Sequence, residues 1–80
     1  MFIIKSRDLI GTIPANFPHP ELVDSRWHTW VIGYRTFEAA MEAVTRQIDK
    51  PCTRPVPARE YCIFEKEGRK LTKMWEGKRS

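Results

Sequence analysis

Long apolar runs are missing from this chain. The longest, such as the one around Phe2-Ile3-Ile4, span four residues, far short of the roughly 18–20 residues a membrane-spanning helix needs. No basic stretch precedes it and no small-residue cleavage site follows, so neither an anchor nor a secretory signal is expected, and no membrane partner. The default expectation is a cytoplasmic protein. Cysteine is scarce as well: Cys52 and Cys62 are too few for a disulfide scaffold and fit a reducing compartment. Cys62 is expected to pack as a small hydrophobe in a strand and Cys52 to sit in a loop, although one bridge between them is compatible with the sequence.

The same poverty of chemistry-bearing residues excludes most catalysts. The two histidines, His19 and His28, and the two cysteines are each widely separated in sequence, so no turn presents two metal ligands together and no metal site is expected. The four glycines, Gly11, Gly33, Gly68 and Gly77, are too scattered to cradle a phosphate. The terminal Gly77-Lys78-Arg79-Ser80 lacks the upstream glycine and following helix of a phosphate-binding loop. No serine lies in a nucleophile elbow, and Glu38 and Glu42 fall on an exposed helix face without a pocket. No enzymatic activity and no cofactor are expected of so small a layer pair.

What is present is enough for one folded domain. Hydrophobic residues make up 41% and charged ones 30% of the 80 residues, within the range of globular chains. A chain this short buries only about 60–65% of its unfolded surface, which leaves stability modest and gives a partner, including a second copy, something to contribute.

Hydrophobic period changes near residue 35. Residues 26–34, rich in aromatic and β-branched side chains, read as a central strand with two largely apolar faces. Phe37, Ala40, Met41, Val44 and Ile48 then fall on one stripe of a helix over 36–50. Thr36 is its N-cap, Glu38 lies in its first turn and Pro51 ends it. Glu42 and Arg46 form an i,i+4 pair on its solvated side. Pro51, Pro55 and Pro57 make an extended connector up to Ala58.

Residues 59–76 read as a hairpin around Lys66-Glu67-Gly68, a three-residue loop with Gly68 left-handed. That register sets Ile63 opposite Leu71 and Tyr61 opposite Lys73. Residues 1–24 are expected to be irregular apart from a short strand at 2–5, a second short strand near 9–13 and one helical turn at 21–24, with 77–80 a tail.

The expected fold is therefore α+β, a single helix packed on a small three- or four-stranded mixed or antiparallel sheet with a C-terminal β-hairpin. The expected core is Ile4, Trp27, Val31, Phe37, Ala40, Met41, Val44, Ile48, Tyr61, Ile63, Leu71 and Trp75.

Charge supplies the functional lead. Residues 66–80 hold six basic side chains against two acidic, which is the whole net charge of +4, while residues 1–65 balance eight against eight. Local positive charge on a neutral domain points towards an acidic partner. The leading expectation is a non-catalytic module that binds and modulates or inhibits a larger protein with an acidic surface. Its candidate residues are Phe17, Trp30, Phe64, Arg69, Lys70 and Lys73. Accessory factors encoded by mobile elements belong to this size class, though no residue points to them. The alternative is a nucleic-acid-binding protein using Lys66, Arg69, Lys70, Lys73 and Lys78, with Trp75, Tyr61 and Phe64 as stacking surfaces. Strict alternation counts against it, since Arg69 and Lys73 fall on one strand face and Lys70 on the other. A lysine-rich edge strand also protects against sheet-to-sheet aggregation without binding anything.

Overall fold

The computed structural model describes residues 1–50 and 56–79. Its elements, in chain order, are β1 (Phe2–Asp8), a 3-10 turn at Ile10–Thr12, a second at Pro20–Leu22, β2 (His28–Thr29), α1 (Phe37–Asp49), β3 (Arg59–Glu67) and β4 (Lys70–Arg79). The strands form one antiparallel sheet in the order β2-β1-β3-β4. The single helix lies on one face of this sheet, which is the α+β arrangement expected from the sequence. No helix among the described residues is long and apolar enough to cross a membrane.

The helix forms as its spacing dictates. The Thr36 hydroxyl accepts a 3.1 Å bond from the Ala39 N–H, satisfying one of the first-turn donors. Ala40 and Val44 are buried, and Phe37, Met41, Ala43 and Ile48 pack around them. Beneath lie Ile4 of β1 and Tyr61 and Ile63 of β3, all fully buried. Burying side chains of this size contributes roughly 1.5–3 kcal/mol each. On the solvent side Arg46 pairs with Glu42.

The largest departure concerns residues 26–34. Only His28–Thr29 is strand, at the sheet's edge, while the central place belongs to β1, which runs to Asp8 rather than stopping at Lys5. Trp27 is 39% exposed and Val31 is fully exposed, so both leave the expected core. Aromatic and β-branched composition suits a strand, but β1 already fills the slot beside β3 with an unbroken seven-residue ladder. Trp30 and Tyr34 of this segment pack against the core, Trp30 meeting Tyr61 edge-on at 6.2 Å and donating its indole N–H to Ser6 Oγ at 3.1 Å. That bond explains how Ser6 is buried inside a strand. The strand expected near 9–13 is instead a 3-10 turn, whose Thr12 hydroxyl accepts from the Ala58 N–H at 2.8 Å. The helical turn expected at 21–24 appears as Pro20–Leu22. The proline connector through residue 55, and with it Cys52 and any bridge to Cys62, lies outside the described residues.

The hairpin differs from its expected form in loop and register. Glu67 pairs with Lys70, so the loop is the two residues Gly68-Arg69. Gly68 has φ +60°, and among the described residues no other has a positive φ. A glycine of that conformation followed by an ordinary residue is the type II′ turn that matches strand twist. Ile63 faces Trp75 rather than Leu71, and Tyr61 faces Gly77 rather than Lys73. The register then slips by one residue, because Phe64 pairs with Lys73 and leaves Met74 as a β-bulge. Trp75 thus stays against the core. Leu71 goes to the opposite side of the sheet and is 41% exposed.

Candidate functional site

With one helix on one face, the other face of the sheet is left uncovered, and antiparallel pairing decides which side chains it displays. Residues directly opposite one another share a face. On the uncovered face β1 therefore presents Ile3, Lys5 and Arg7, and β3 presents Glu60, Cys62, Phe64 and Lys66. β4 adds Leu71, Lys73, Glu76 and Lys78. Simple alternation would put Lys73 and Lys78 on opposite faces. The bulge at Met74 brings them to the same one.

This surface divides into two electrostatic halves. Towards the end of β3 that begins at Arg59, each carboxylate is paired with a cation. Arg7 pairs with Glu60 at 3.0 Å and stacks its guanidinium 4.5 Å from the Trp27 ring, and Lys73 pairs with Glu76 at 3.1 Å. Glu76 holds the Lys73 ammonium charged beyond its ordinary range. Cys62 is buried between these groups, only 1% exposed, and burial pushes its thiol pKa up. The Cys62 thiol and the Glu60 and Glu76 carboxylates lie within 4.8 Å of one another. Both carboxylates are already engaged by cations, so this cluster is an ion-pair network around a packed thiol.

The hairpin-turn half is different. A shallow groove of about 430 Å³ is lined by Ile3, Lys5, Thr29, Lys66, Gly68, Arg69 and Leu71. Three of these are cations and none is a carboxylate. Its floor is aliphatic, from Ile3 and Leu71. The Lys5 ammonium lies 5.4 Å from the Phe64 ring centre, and the charges come from β1, β3 and the turn.

The residues singled out from sequence are thus distributed unevenly. Phe64, Lys66, Lys73 and Lys78 share the uncovered face, and Arg69 stands at its turn end. Lys70, opposite Glu67, has the parity of the helix-bearing side. Trp30 is packed on Tyr61 within the core layer. Phe17 lies across the molecule, at a pocket of about 270 Å³ near Leu22, Val56 and Arg79. The reading from sequence missed Lys5, Arg7 and Thr29. Alternation of Ile3, Lys5 and Arg7 against Phe2, Ile4 and Ser6 is a signal that could have found the first two.

A third pocket, about 260 Å³, lies where Ser6, Arg7, Asp8, Asp24, His28 and Arg59 meet. His28 Nε2 lies 2.8 Å from Asp24, Arg26 binds the same carboxylate, and Arg59 bonds Asp8 at 3.0 Å. The Arg26 hydrogen bonds hold the Asp24 pKa well below the usual carboxylate range. The Ser6 hydroxyl accepts from the Trp30 indole, and among the described residues no side-chain hydrogen bond joins Ser6 to His28, which meet as a backbone pair of β1 and β2. The Asp24 pairs lie within the 24–28 segment and the Arg59–Asp8 pair joins β3 to β1, while the Asp8 N–H donates to the Asp24 carbonyl at 3.1 Å and ties the segment to β1.

Comparison with family models, with curated proteins and with solved structures finds no match to this chain.

Proposed function

We propose that the chain is a non-catalytic binding module that engages and modulates a larger protein bearing an acidic surface, through the uncovered sheet face. The observation that carries this reading is the groove lined by Lys5, Lys66 and Arg69 with an aliphatic floor and no carboxylate. Unmatched cations around an apolar floor favour a partner that offers carboxylates beside an aliphatic or aromatic anchor. A second reading, nucleic-acid binding, draws on the cations of this face, Lys5, Arg7, Lys66, Lys73 and Lys78, the last two united by the bulge. Against it, Glu60 and Glu76 stand in the path of a phosphate backbone. Lys5 and Arg7 also cover the Phe64 and Trp27 rings on which bases would stack.

The test is capture from a nuclease-treated lysate by the parent chain and by the Lys66→Glu/Arg69→Glu double variant, then titration of the purified partner. A partner bound by the parent, and at least tenfold more weakly by the variant, is the expected result. Equal binding by both refutes the groove. Retention on nucleic acid alone, with affinity falling steeply as salt rises, selects the second reading.

A further inference from the structure

We propose that the partner is held by strand addition: an acidic extended segment pairs with the outer edge of β4 at Lys70–Lys73 and lays alternate side chains over the adjoining groove. This rests on the protein-binding reading above and says how the partner is gripped.

The two edges of the sheet are unequal. On one side β2 is only two residues long, and on the other β4 runs for ten with no further strand beyond it. The run contains no proline, and Lys70 to Met74 are all exposed. The type II′ turn fixes which backbone groups are free. Its closing pair, Glu67 and Lys70, bond to each other, so alternation turns the N–H and C=O of Leu71 and Lys73 away from β3. The bulge at Met74 ends this straight run, so an added strand has Lys70–Lys73 as its contiguous stretch before the twist changes.

Charge selects the occupant. Strand β4 carries Lys70, Lys73, Lys78 and Arg79 against Glu76, with Lys66 and Arg69 beside it. A second copy would bring the same excess of positive charge to the edge, which disfavours self-pairing. An acidic strand meets complementary charge. The alternate side chains on its groove side lie over Leu71, Lys66 and Arg69, the residues that line the groove.

Area gives a further reason. Strands about 4.8 Å apart with about 3.3 Å per residue make the three long strands a face of roughly 15 by 30 Å. That is small beside the roughly 800 Å² each partner contributes to a standard interface. Backbone pairing along the edge adds directional contacts that the face alone lacks.

The experiment uses the full chain and a capped ten-residue peptide of alternating valine and glutamate, with the lysine counterpart as control, followed by amide resonances and hydrogen exchange. Saturable binding of the glutamate peptide, with slowed exchange at Leu71 and Lys73, is expected. Two peptides N-methylated on opposite alternate residues should separate, one binding like the parent peptide and the other at least tenfold more weakly. On the protein, Leu71→Pro removes the outward N–H at an edge where proline is tolerated. It should weaken binding at least tenfold beyond Leu71→Ala, which trims the same groove floor but keeps the N–H.

Equal binding of both methylated peptides means charge attraction without strand pairing and overturns the inference, as does absence of saturable binding. Exchange protection at Leu71 and Lys73 that grows with protein concentration and needs no peptide would make a second copy the occupant, and also overturns it. A partner whose capture depends on Lys66 and Arg69 while these peptide results fail leaves the proposed function standing and removes only the strand addition.

Discussion

Gly77→Ala should destabilise the domain by a mechanism confined to one pair of residues. Gly77 and Trp75 lie on the same side of β4, and the indole folds over the glycine. A β-carbon at position 77 would lie 2.4 Å from Trp75 Cη2 and 2.6 Å from Cζ2, where carbon atoms in contact normally sit about 3.5–4.0 Å apart. The ring must therefore move by about 1 Å, and it is the ring that packs against the core opposite Ile63.

Overpacking of this kind costs about 1–3 kcal/mol. Gly77 has no positive φ, so alanine recovers about 0.4–1 kcal/mol by restricting the unfolded chain. Taking the middle of each range, the net loss is about 1.3 kcal/mol, equivalent to roughly 5–10 °C in a domain of this size. Thermal melts by circular dichroism measure it, with Gly11→Ala as the matched control because nothing lies within 4 Å of its β-carbon position. Gly11→Ala should melt at or slightly above the parent temperature. The reasoning is refuted if Gly77→Ala melts no lower than the parent, or if both variants fall equally.

Other consequences follow from single groups. Among the described residues the buried Tyr61 hydroxyl has no hydrogen-bond partner of normal geometry, so Tyr61→Phe should melt no lower than the parent. A fall of several degrees would show that the hydroxyl is satisfied after all. The Asp24 pKa is depressed in the folded chain, mainly by the Arg26 hydrogen bonds. Its contribution is therefore present above the ordinary carboxylate value of about 3.9 and lost as pH falls towards the folded value. The melting difference between the parent and Asp24→Asn should hold from pH 7 to about 5 and narrow in more acidic solution; a difference that widens with acid contradicts this. Cys62, buried and with its thiol pKa raised, should resist a thiol reagent at neutral pH in a Cys52→Ala background and react at once in denaturant. Rapid reaction of the folded chain would mean that the side chains around it open freely.

The helix was legible because its stripe needs only local sequence: Phe37, Ala40, Met41, Val44 and Ile48 repeat at helical spacing, with Thr36 ahead of them. The left-handed Gly68 was legible for the same reason. The strand order was not, since the composition of residues 26–34 suits a sheet centre as well as that of β1 does. What decides is which segment lies flat beside β3 over its whole length, a long-range choice. Ser6 and Asp8 lie beyond the short strand expected at 2–5, and their place in β1 depends on the Trp30 indole and the Arg59 guanidinium that satisfy them. The uncovered face was hidden by a single residue. Nothing around Met74 announces a bulge, yet it moves Leu71 off the core and unites Lys73 with Lys78 on one surface.

The central place of β1 also governs when the domain can come into being. Ile4 is matched to Ile63 and Phe2 to Glu65, so the strand made first finds its long partner only when most of the sequence has been synthesised. Before that it has the two-residue β2. Contacts so distant along the chain slow folding, because the loop must close before the pairing rewards it. Until residues 59–67 are made, β1 has only His28–Thr29 and the Tyr34 bridge to pair with, and Ile4 lacks its partner Ile63.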